Sequence, residues 1–144
     1  MQEEKTSKLE DILRKSKSAE DFFRQGGKEA SLGGFTEYLN LYLAKKGLKL
    51  SQVVANSNIN KNYVYNITNG MTKNPGRDKL IALCIGAGMT FDEANRGLKI
   101  AKVGILYVKN PRDARIGIAM NNGINKVVLV NQMLEQNGLP LLDV

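Results

Sequence analysis

Apolar residues spaced three and four apart, in short runs punctuated by Asn, Gly and Pro, predict a chain of short helices. Ser7 and Glu10 are spaced as a capping box, and Leu9, Ile12 and Leu13 form a narrow stripe behind it, predicting a helix over 7–16. Ser18 can cap a second helix carrying Phe22 and Phe23, and the pairs Gly26-Gly27 and Gly33-Gly34 bracket a loop. The stretch Leu50 to Gly70, LSQVVANSNINKNYVYNITNG, is the most informative. Val53 and Val54 lie on one short helix, Asn58 suits a left-handed turn, and Ile59 follows as an apolar plug. Asn60 is placed to cap a second helix whose Val64 and Ile67 face inward, and Asn69-Gly70 stops it.

Downstream, a repeat is written at a spacing of 35 and then 36 residues. Arg77-Asp78 recurs as Arg112-Asp113, Ile81 as Ile116, Gly88 as Gly123, Asn95 as Asn131, Leu98 as Leu134, and Ile105-Leu106 as Leu141-Leu142. Each copy reads as helix, glycine turn, helix and apolar docking segment, with Pro111 and Pro140 in the connections. The continuous run Val127 to Val130 in the second copy reads first as a wholly buried helix. A dimer surface and a dock for a partner protein are the alternatives.

The polar residues left outside by this pattern have useful chemistry. Lys61, Asn62, Tyr65 and Asn66 form the outward face of the second short helix. Lysine donates to guanine O6 and N7, and asparagine can bond adenine through two hydrogen bonds. Tyrosine hydroxyls and free amides at a helix start hold phosphates.

The longer run LNLYLAKKGLKLSQVVANSNINKNYVYNITNGMTKNPGRDKLIALCIGAGMTFDEA carries a family pattern. Its first helix ends in Lys45-Lys46-Gly47-Leu48, and Asn69-Gly70 with Asn74-Pro75 forms the tail before the next helix. From Phe35 to about Ile100 the chain resembles the lambda-repressor-like, or xenobiotic-response-element, helix-turn-helix family. The resemblance implies a five-helix DNA-binding domain of a bacterial or phage transcriptional regulator, with the helix from Lys61 in the major groove. It implies base reading by Lys61, Asn62 and Asn66 and phosphate contacts from Asn69, Thr72 and Lys73; Tyr65 joins the first set on the same outward face, and Lys49, Ser51 and Tyr63 are further candidate phosphate contacts. Two departures from the pattern stand out: Lys49 and Leu50 occupy the places where the family often has Ser-Gln, and Val54 stands where it usually has Ala. It also implies frequent dimers on two-fold related half-sites.

Charge sharpens this picture. The chain of 144 residues carries a net charge of +7, unevenly spread. Residues 1–34 hold seven basic and seven acidic side chains, 35–76 five and one, 77–109 six and three, and 110–144 three and three. The basic excess therefore coincides with the family-like region, where it attracts phosphate.

Other classes find little material. There is no His and a single Cys, Cys84, in the apolar run IALCIGAGM, where it reads as a buried thiol in a reducing cytosol. No metal site, cofactor, catalytic group, membrane span or N-terminal signal core is expected. The expected protein is all-α: an arm over 1–34, a DNA-binding domain over 35–102, and a helical hairpin extension over 103–144 that packs on the domain or forms a surface for a homodimer or protein partner. Sequence-specific binding of double-stranded DNA in the cytoplasm is the expected function. An interaction adaptor, or an antitoxin, built on the same helices is the alternative.

Overall fold

The computed structural model describes residues 34–71 and 75–144. The helices expected over 7–16 and after Ser18 lie outside the described residues, as do Thr72 and Lys73. Among the described residues there are seven helices and no strand. They are α1 (34–46), α2 (Leu50–Ser57), α3 (Lys61–Thr68), α4 (Arg77–Gly86), α5 (Phe91–Ile100), α6 (Pro111–Asn121) and α7 (Val127–Gln136). None of them is long and apolar enough to cross a membrane.

The central element is α4. Every residue from Leu80 to Gly86 is buried, as a helix apolar on all sides must be. Helices α2, α5 and α7 pack around it. One continuous core runs from Leu39 of α1 through Val53, Val64 and Ile67 to Leu83 and Leu98, and on to Ile116, Val130, Leu134 and Leu142. Cys84 lies inside it, and burial pushes its thiol up to about 12, so it stays protonated at neutral pH.

The ends of the helices follow local rules. Asn60 Oδ1 accepts from the amides of Asn62 (2.9 Å) and Tyr63 (3.4 Å) and so starts α3. Thr90 and Glu93 cap α5 reciprocally, and Asn110 with Pro111 starts α6. Helix α5 ends in a left-handed residue that is not glycine: Lys102 has φ 62°, while its repeat equivalent, Gly138, has φ 66°. In both, the next amide returns to the last turn, Val103 N to Leu98 O and Leu139 N to Leu134 O. A side chain in this conformation costs about 1 kcal/mol. Lys102→Gly is therefore expected to raise stability by about 0.5 kcal/mol after the added freedom of the unfolded chain, and Gly138→Ala to lower it by about 1 kcal/mol. Urea unfolding of the two variants measures both.

The repeat in the sequence is a repeat in space. In the first copy Arg77 donates to the carbonyls of Gly104 (2.8 Å) and Ile105 (2.9 Å); in the second Arg112 donates to those of Pro140 (2.8 Å) and Leu141 (2.9 Å). Asn95 pairs with the backbone N–H and C=O of Leu106, and Asn131 does the same with Leu142. The copies are then crossed. Arg77 reaches Asp113 of the other copy (2.8 Å), and Arg112 reaches Asp78 (3.0 Å). Asp113 also accepts from the Tyr107 amide and Asp78 from the Asp143 amide, so each carboxylate holds the docking segment of the opposite copy.

The run Val127 to Val130 is not wholly buried. Val127 and Val130 point into the core, while Val128 and Leu129 are 51% and 45% exposed. An isolated helix face can bury residues three apart but not four in succession unless other elements cover its far side. Ile118 of α6 is likewise exposed.

Candidate nucleic-acid interface

Helices α2 and α3 form a short pair joined at Asn58, which takes φ 61° as the sequence leads one to expect. Ile59 is buried behind the turn. The turn is also stitched by Ser57, whose hydroxyl donates to Val54 O and accepts from the Ile59 amide. At the other end of α3, the Gly70 amide bonds Ile67 O and the Met71 amide bonds Asn66 O, with Gly70 at φ 81°. This paired closure ends the helix at Asn69.

Two contacts fix the pair on the body. Thr36 of α1 donates its hydroxyl to Ile67 O (2.6 Å), and Asn56 of α2 donates to Gly86 O (3.2 Å). At Gly86, α4 comes so close to α2 that an added Cβ would lie 2.9 Å from Val53 O and 3.1 Å from Ser57 N. Val54 and Leu50, the departures from the family pattern, are partly buried against the core. The close approach is thus made by a glycine on α4 rather than by a small residue at position 54.

At 100° per residue, Lys61, Asn62, Tyr65 and Asn66 of α3 share an arc of about 140° with the capping Asn69, and Val64 and Ile67 lie opposite. Lys61, Asn62 and Asn69 are exposed, and Tyr65 and Asn66 are half-buried. Lys61 Nζ lies 5.8 Å from the centre of the Tyr65 ring, which draws these two side chains together. Asn69 Oδ1 accepts from the Met71 amide, which orients that side chain. Lys49 and Ser51 are exposed at the start of α2, where Gln52 Oε1 accepts from the Lys49 amide (2.9 Å). No acidic residue stands between Glu37 and Asp78, so α2 and α3 carry no negative side chain.

Tyr63 stands apart from the other expected contacts. It is half-buried against the core, and Lys79 of α4 covers its ring with Nζ 5.8 Å from the centre. Lys79 also donates to Asp143 O (2.9 Å). Sequence reasoning missed Ser57, Gly86 and Lys79. Only Gly86 leaves a local signal, as a glycine inside an apolar helical run that alanine would favour by about 1 kcal/mol. Comparison with family models, with curated proteins and with solved structures yields no match.

Proposed function

We propose that the protein binds double-stranded DNA as a sequence-reading regulator of the lambda-repressor-like helix-turn-helix type, with α3 in the major groove. Lys61, Asn62, Tyr65 and Asn66 read base edges; Lys49, Ser51 and Asn69 grip phosphates, and the sequence adds Thr72 and Lys73. The observation that carries this reading is the single polar arc of α3, lying in a segment with no acidic residue between Glu37 and Asp78. A base-reading face needs short donors and acceptors on one side of a helix, and a phosphate-bound segment needs freedom from carboxylates.

Selection of bound duplexes from a random pool, followed by titration of the winner at ~150 mM salt, tests the proposal. Lys61→Glu is expected to weaken binding at least about tenfold, because it removes one cation and places an anion beside phosphates. Equal binding by wild type and Lys61→Glu sinks the assignment. The exposed Ile118, Val128 and Leu129 support a second reading, an adaptor that docks a second copy or another protein through α6 and α7. That reading predicts no salt-dependent DNA binding and a stoichiometric complex lost in Leu129→Lys.

A further inference from the structure

The geometry points to Lys79 as a positioning residue for the reading helix, through which the docking segment 140–143 sets the seat of α3. This inference rests on the DNA-binding reading above. Lys79 lies in the first turn of α4 and is half-buried. Its ammonium is held on two sides, by the Asp143 carbonyl at 2.9 Å and by the Tyr63 ring at 5.8 Å. Tyr63 belongs to the first turn of α3, two residues after Lys61 and two before Tyr65. A displacement of the ring would therefore turn both base-reading neighbours with it.

The far side of this link is anchored more firmly than the link itself. The Asp143 amide donates to Asp78 (2.9 Å), and Arg112 holds Pro140 O, Leu141 O and Asp78 together. Asn131 binds both backbone groups of Leu142. The segment is thus fixed by α4, α6 and α7, and Lys79 carries its position to α3. The second repeat copy, which holds no base-reading residue, acquires a role in DNA affinity by this path.

The test measures DNA affinity and its salt dependence for Lys79→Met, Lys79→Arg, Arg112→Gln and the double variant Lys79→Met/Arg112→Gln in the full chain. Methionine keeps the stem but loses the charged hydrogen bond and the ring contact, so affinity is expected to fall about tenfold. Arginine can keep both contacts and is expected to retain most of the affinity. Arg112→Gln should weaken binding in the same direction, and the double variant should bind no worse than the weaker single one, because both act on one link. The slope of log affinity against log salt should stay that of wild type, since no phosphate contact is removed.

A slope reduced by about one in Lys79→Met would make Lys79 a direct phosphate contact and overturn the inference. Unchanged affinity in that variant, or additive losses in the double one, would overturn it as well. Where Lys79→Met does not fold, Lys79→Gln with thermal unfolding as control answers the same question. Absence of DNA binding by wild type would remove the functional reading itself, a result visible before any variant is compared.

Discussion

Gly86→Ala is expected to destabilise the fold by about 2 kcal/mol, although alanine is the better helix former by about 1 kcal/mol. The added Cβ would meet Val53 O at 2.9 Å, Ser57 N at 3.1 Å and Ser57 Cβ at 3.3 Å. Two of these are backbone atoms of α2, and no rotamer change can withdraw them. Relief requires α2 to move away from α4, which breaks the bond from Asn56 Nδ2 to Gly86 O and loosens the buried contact around Val53 and Ser57. Gly117→Ala provides the comparison. Its Cβ would come closer still, within 2.5 Å of Phe91, but the atom met belongs to a half-buried ring that can swing outward. Its loss should be the smaller one. Thermal unfolding that ranks the two variants by Cβ distance, with Gly117→Ala the worse, would refute the argument that backbone contacts decide the cost.

Asp113→Ala should cost about 3 kcal/mol, near the lower end for breaking a buried ion pair because Arg77 keeps some contact with water. The carboxylate is only 7% exposed and serves two donors at once, Arg77 Nη2 at 2.8 Å and the Tyr107 amide at 3.0 Å. Removing it leaves both donors without that partner in a partly buried site. Asp78→Ala, at the equivalent position of the other copy, removes a carboxylate that is 25% exposed, so water can replace more of what is lost. A smaller cost, about 2 kcal/mol, is expected there. Urea denaturation of the two variants gives the ranking, and the reverse order would contradict it.

Asp78 also predicts a pH effect. Burial alone would raise its pKa, but hydrogen bonds from Arg112 and the Asp143 amide, with the charges of Arg112 and Arg77, hold the carboxyl below its usual value. A carboxylate with a lowered folded-state pKa contributes stability that is fully present above the unfolded value of about 4 and is lost as pH falls through the folded one. Asp78→Asn should therefore lie closest to wild type in strongly acidic solution and furthest from it above about pH 5.

The parts of this architecture that were legible in the sequence are those fixed by neighbours in the chain. The Asn58 turn, the Asn60 cap and the Asn69-Gly70 stop each depend on side chains or φ angles within a few residues. The repeat was legible because its turns and docking segments recur at nearly constant spacing. What escaped was set by distant packing. The seat of the Tyr63 ring beneath Lys79, sixteen positions later, leaves no trace in the local sequence. Val127 to Val130 reads as uniformly apolar, but only the packing of α7 on the body decides that positions 128 and 129 face outward. Arg77, Asp78, Arg112 and Asp113 were visible as matched pairs, while the crossing between them was not.

That crossing limits what the architecture can become. Had the copies been related by translation, one arginine would meet the next aspartate, and an unmatched Arg or Asp would remain at each end to receive another hairpin. Here the exchange is mutual, and all four charged side chains are consumed within the pair. Two is therefore the closed number for this brace: a third hairpin added in series would find no charge left to read, and neighbouring molecules cannot polymerise by continuing it.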